Sequence, residues 1–212
     1  MKPAIVTMLK LQDQMNQKVH PQWISQNYEW YRAIWIECAE LMDHVGYKWW
    51  KHQTNDIEQV RLEVVDIWHF GLSALFKEGA DIELMADEIQ DTIKQHALDK
   101  RDIRDVTERL AQHCLTTHEF SVHLFCSLLD AVDLDFDSLY RAYVGKNVLN
   151  FFRQDHGYKE GTYVKNWAGR EDNEHLVEVV SELDSSAADF ADLLYQALSE
   201  RYQRVAAVHA SN

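Results

Sequence analysis

The chain has few of the residues that interrupt helices. Its 212 residues include 7 glycines and 2 prolines, and both prolines, Pro3 and Pro21, lie near the start. A fold of many short strands needs frequent turns, which depend on glycine and proline. No proline stands after Pro21 to end or kink a helix. We therefore expect an all-α fold, a helical bundle, and the chain is long enough for one well-buried core.

Positive charge, cysteine and long apolar runs are scarce as well. Lysine and arginine number 21 against 35 acidic residues, which gives a net charge of -14. A nucleic-acid partner is not expected, because a duplex-binding surface needs clustered cations. The three cysteines lack the spacing of a metal site. No apolar stretch has the length of a membrane span and the start does not resemble a signal peptide, so we expect a cytoplasmic protein without a membrane partner.

Apolar residues at helical spacing divide the chain into a series of predicted helices. These helices cover approximately residues 7–19, 28–45, 56–76, 119–129, 136–152 and 185–208. Residues 81–118 are more polar, and we expect one or two helices there that form a small insertion or subdomain, the segment best suited to move. No linker or repeat is visible, so residues 1–212 are predicted to form a single domain.

Two matched acidic motifs carry the clearest chemical signal. Glu37-x-x-Glu40 and Glu63-x-x-Asp66 each place two carboxylates on one face of an apolar helix. A short connection favours an antiparallel helix pair, in which all four acids would meet. Four like charges need compensation, and a set of oxygen ligands suits Mg²⁺. The alternative is a pair of ordinary solvated helix faces.

A di-iron carboxylate bundle also uses inward-facing glutamates, but it needs Glu-x-x-His on two helices. Asp66-x-x-His69 is the one similar feature near the four acids. Iron is therefore disfavoured, and His69 is interpreted as a supporting or core histidine in preference to a ligand.

A second motif supplies cations. Lys146, Asn150 and Arg153 fall on one stripe of a predicted helix, at spacings of four and three. A guanidinium and an ammonium on one face suit phosphate oxygens, although an ordinary exposed helix face would have the same pattern. The glycine-rich stretch that follows predicts a loop.

These motifs together resemble the all-α dimeric dUTPases, relatives of the MazG-like pyrophosphohydrolases. The resemblance runs in order from residue 8 to about 173. It rests on the following segments: Met8–Gln12 with Asn16, Glu37–Leu41, Lys48–Lys51, Glu63–Phe70, Lys146–Arg153 and Gly157–Asn173. It implies a homodimer that hydrolyses dUTP, with dUDP as a further substrate, to dUMP and pyrophosphate by attack of a metal-activated water on the α-phosphate.

The resemblance also implies roles for individual residues. Glu37, Glu40, Glu63 and Asp66 would hold two or three Mg²⁺ ions, and Glu40 would orient or deprotonate the water. The implied substrate-binding residues are Gln12 and Asn16 for the base edge and sugar, Trp50 and Phe70 for stacking on uracil, and Lys146, Asn150, Arg153 and Lys165 for phosphate and sugar oxygens.

Two other functions stay open at this point. The same scaffold could act on dCTP or a non-standard nucleoside triphosphate, because the residues around the base decide the substrate. A non-catalytic helical interaction protein is the second alternative, and it predicts that the acids do not converge.

Overall fold

The computed structural model describes residues 1–185, 187 and 189–209, and for residues 205–209 it describes the helix without the side chains. Within these residues the chain forms nine α-helices, one short 3₁₀ helix at Ile24–Gln26 and one two-stranded hairpin. The helices are α1 (Lys2–Val19), α2 (Trp30–Val45), α3 (Ile57–Leu75), α4 (Ile82–Gln95), α5 (Ile103–Thr117), α6 (Val122–Ala131), α7 (Phe136–Asp155), α8 (Asp172–Glu182) and α9 (Phe190–His209). The predicted all-α fold is confirmed.

The chain divides into two compact units, Met1–Tyr140 and Arg141–Asn212. The prediction of a single domain with an insertion at 81–118 stays a prediction. No described helix has both the length and the apolar character needed to cross a membrane.

In the first unit the core lies around α2 and α3, which pack along each other. Helix α3 begins at Asp56, whose side chain accepts a hydrogen bond from the backbone N–H of Gln59 at 3.3 Å. Most of its apolar residues are almost fully buried, although Ile57 and Leu62 are exposed, and Trp68 stacks on Phe125 with ring centroids 4.7 Å apart. The packing of α2 against α3 brings acidic side chains of the two helices together.

The polar stretch 81–118 forms two capped helices. Asp81 and Asp102 accept hydrogen bonds from backbone N–H groups in the first turns of α4 and α5. Helix α4 packs on α1 and α6, whereas α5 packs on α2 and α6. Few large apolar residues are needed for this packing, so the helices form although the apolar pattern of the stretch is sparse.

The second unit contains features that periodicity did not predict. A hairpin pairs β1 (Asn166–Trp167) with β2 (Arg170–Glu171), and the turn between them is Ala168–Gly169, with φ values of 52° and 87°. Helix α8 follows at once and packs on α9. The last predicted helix, 185–208, was therefore placed too early, because α9 begins at Phe190.

Candidate functional site

Three of the four predicted metal ligands meet in the first unit. Glu37 of α2 and Glu63 and Asp66 of α3 each offer one carboxylate oxygen, and these oxygens lie within 4.8 Å of one another. We call these three residues the acid cluster. Cys38 and Val64, which follow two of the acids along the chain, are buried in the core. Within the acid cluster Glu63 is buried as well, whereas Glu37 and Asp66 are partly exposed.

The electrostatics of the acid cluster favour a cation. The pKa of Glu37 is raised from 4.5 to about 8. The largest cause is burial, and the charge of Asp66 and a hydrogen bond with Glu63 are the next two. Glu63 is 8% exposed. Carboxylates brought this close resist ionisation unless a positive charge compensates them. The arrangement therefore suits a hard divalent ion with oxygen ligands.

Glu40, the fourth predicted ligand, lies one helical turn from Glu37 and is exposed. Its charge contributes to the raised pKa of Glu37. Glu40 does not belong to the close group formed by the other three acids among the described residues. Its predicted part in metal binding and in catalysis stays a prediction.

His44 is a neighbour of the acid cluster that the sequence analysis missed. Its Nε2 lies 3.4 Å from Oε1 of Glu63. The signal was present, because His44 follows Glu37 by seven residues and therefore lies on the same helix face. A lone histidine without a recognised ligand spacing gave no reason to single it out.

Gln12 and Asn16 belong to a buried chain of hydrogen bonds between α1 and α3. His69 Nδ1 lies 3.0 Å from Oε1 of Gln12. Nε2 of Gln12 donates to Oδ1 of Asn16 at 3.2 Å, and Nδ2 of Asn16 donates to the Ser73 hydroxyl at 2.9 Å. The Ser73 hydroxyl donates to the backbone carbonyl of His69 at 3.1 Å. We call these four residues the amide chain; the substrate contact predicted for Gln12 and Asn16 stays a prediction.

The two predicted stacking residues lie in different surroundings. Trp50, in the loop after α2, is 60% exposed and meets the rings of Tyr47 and Trp49 edge-on. Phe70 lies in α3 and stacks on Trp30 at a centroid distance of 6.2 Å. The stacking on uracil predicted for Trp50 and Phe70 stays a prediction.

The four predicted phosphate-side residues lie in the second unit. Nε and Nη2 of Arg153 donate to the two oxygens of Asp172, at 2.8 and 2.9 Å, and Asp172 is fully buried. Nη1 of Arg153 lies 3.4 Å from Oδ1 of Asn150. Lys165 forms an ion pair of 3.0 Å with Glu171. In this structure Arg153 thus holds a buried acid, and the phosphate contacts predicted for Lys146, Asn150, Arg153 and Lys165 stay predictions.

The fold and the acid cluster together define an all-α protein with a set of carboxylates of the kind that holds divalent cations. Comparison with protein-family models matches residues 4–158 to the family described as dUTPase. The match spans most of the chain, so the chain belongs to the dUTPase family. It is an enzyme, a dUTP diphosphatase, and its substrate is a nucleotide. Curated protein sequences contain no match to it.

Proposed function

We propose that the enzyme hydrolyses dUTP to dUMP and pyrophosphate with Mg²⁺ held by the acid cluster. The observation that carries this proposal is the approach of three carboxylate oxygens within 4.8 Å of one another. The cluster lies in α2 and α3, inside the region that matches the family. Three carboxylates without a nitrogen or sulfur ligand are the donor set that Mg²⁺ prefers.

The residues present fit such an ion. Glu37, Glu63 and Asp66 would hold it. Burial and the neighbouring carboxylates raise the pKa of Glu37, and a bound cation would stabilise its ionised form against both. When bound, Mg²⁺ supplies charge neutralisation at the phosphates and a lowered pKa of coordinated water. Two or three ions per site are proposed from the resemblance to the family.

Glu40 is the residue that we propose to orient the attacking water and to accept its proton on a carboxylate oxygen. It lies one turn from Glu37 and is exposed, so a water molecule can reach it. Attack at the α-phosphorus breaks the bond to the bridging oxygen, and pyrophosphate leaves with that oxygen.

The substrate contacts complete the proposal. Gln12 and Asn16 would read the base edge and sugar, and Trp50 and Phe70 would line the uracil. Cation and amide groups for the phosphates would come from the sequence-predicted set, Lys146, Asn150, Arg153 and Lys165. We propose from the family resemblance that the protein is a homodimer, and from the composition that it is cytoplasmic. Light scattering of the purified protein tests its oligomeric state.

A four-substrate panel tests this function. Purified protein is incubated with dUTP, dCTP, dTTP or UTP, with Mg²⁺ or with EDTA, and pyrophosphate is measured. We expect EDTA-sensitive release from dUTP above the other three, and loss of release in Glu40→Gln. Preference for another nucleotide would overturn the base assignment, and release that survives EDTA would overturn the role of the metal.

A further inference from the structure

The amide chain has a direction, and this direction decides which groups donate and which accept. An amide oxygen can only accept, so the contact of Gln12 Oε1 with His69 requires a hydrogen on Nδ1 of the imidazole. From there the donors run in one sense, from Gln12 to Asn16 and from Asn16 to Ser73. All four side chains are at most 8% exposed.

The reverse direction is chemically possible. If both amides turned over, Asn16 would donate to Gln12, and Gln12 would donate to the imidazole. The two directions place oxygen and nitrogen atoms in exchanged positions. A group at one end of the amide chain must therefore select one of the two directions.

Ser73 lies at the end of the amide chain that makes this selection. Its hydroxyl donates to the backbone carbonyl of His69, four residues earlier in α3. A carbonyl oxygen can only accept, so the hydroxyl hydrogen of Ser73 points at this carbonyl. A lone pair of the Ser73 hydroxyl oxygen is then directed at Asn16. In the reverse direction this hydrogen would be needed by Asn16, and the bond to the carbonyl would be lost. The backbone of α3 thus favours the observed direction through one hydroxyl.

The amide chain lies on the same face of α3 as Asp66 of the acid cluster. Asp66, His69 and Ser73 follow one another on one face of α3 at spacings of three and four. With a rise of about 1.5 Å per residue, His69 and Ser73 lie about 4.5 and about 10 Å along the helix from Asp66. A nucleotide that lay along this face of α3 with its α-phosphate at the acid cluster would bring its base to the amide chain.

We propose that Ser73 is a positioning residue that sets base selectivity by fixing the direction of the amide chain. The proposal rests on the proposed function. Uracil and cytosine differ by an exchange of donor and acceptor, because O4 of uracil accepts where N4 of cytosine donates. A polar site with a fixed direction rejects the wrong partner strongly, whereas one that can reverse accommodates both.

The test compares kcat/KM for dUTP and dCTP in the Mg²⁺-loaded enzyme and in Ser73→Ala. We expect the preference for dUTP to fall at least about tenfold, the equivalent of one net hydrogen bond, with most of the change in KM. Ser73→Thr keeps the hydroxyl and is expected to retain most of the preference. Thr107→Ala is the matched control, because Thr107 is equally buried in α5 and its hydroxyl makes the same bond to the carbonyl four residues earlier.

A second measurement does not depend on turnover. Binding of dUMP and dCMP to the same variants by calorimetry, in EDTA, should show the same loss of discrimination in Ser73→Ala. Equal losses for both nucleotides, or an unchanged ratio in a folded Ser73→Ala protein, would overturn the inference while the proposed function stands. A wild-type enzyme that does not prefer dUTP would overturn both.

Discussion

Replacement of Glu37 by glutamine is expected to stabilise the metal-free protein, and the gain should grow with pH. Burial and the neighbouring carboxylates raise the pKa of Glu37 to about 8 in the folded protein, against an ordinary value of 4.5. Since the folded form holds this proton more tightly than the unfolded form, the free energy of unfolding falls as pH rises from the unfolded to the folded pKa. Glutamine carries no charge and avoids this loss.

The size of the effect follows from the pKa shift. At about 1.4 kcal/mol per pKa unit, the shift sets an upper bound of about 5 kcal/mol. Glu37 is only half-buried, so solvent screens part of the repulsion. We expect the variant to gain about 1–2 kcal/mol at a pH of about 8.5 and almost nothing at a pH of about 4.5.

Urea denaturation in EDTA at these two pH values measures the difference directly. Glu108→Gln is the matched control, because Glu108 is exposed in α5 and lies outside the acid cluster. A Glu37→Gln protein that is less stable than the wild type at the higher pH would contradict this expectation. A gain that does not change with pH would do the same.

Three further predictions concern packing and backbone geometry. Asp172→Asn leaves the guanidinium of Arg153 without its buried acid. It should lower the free energy of unfolding, measured by urea denaturation, by about 3 kcal/mol, and a loss below about 1 kcal/mol would contradict this prediction. Gly71→Ala would place a methyl group 2.5 Å from the Phe120 ring. This clash should lower the unfolding midpoint by the equivalent of about 1–3 kcal/mol, and an unchanged midpoint would be inconsistent with the contact. Ala168→Gly removes the strain of a φ of 52° and should raise stability by about 1 kcal/mol in the same assay, and a loss would disprove the strain.

The sequence predicts the helices well where apolar residues recur over several turns. Helix α3 was expected at 56–76 and lies at Ile57–Leu75, because its apolar stripe and its cap at Asp56 agree. The hairpin was not predicted, since each strand has two residues. Its turn also has an alanine where a left-handed backbone usually has asparagine or glycine.

The acid cluster was predictable for a different reason. Residues three apart on a helix share a face, so the pairing of Glu63 with Asp66 follows from geometry alone. Whether Glu37 or Glu40 comes closer depends on how α2 rotates against α3, which spacing does not specify. The bond of Arg153 to Asp172 joins residues 19 positions apart. No local pattern reveals such a pair, so the sequence showed the cation without its acid.

The acid cluster is proposed to be the metal-dependent centre that hydrolyses dUTP. The most direct measurement is pyrophosphate release from dUTP against Mg²⁺ concentration, for the wild type and for Glu63→Gln, with Glu108→Gln as control. We expect at least about a hundredfold loss for Glu63→Gln, because removal of a metal-binding carboxylate takes away several kcal/mol of charge stabilisation. The control should retain wild-type turnover. A folded Glu63→Gln protein with wild-type turnover and wild-type dependence on Mg²⁺ would contradict it.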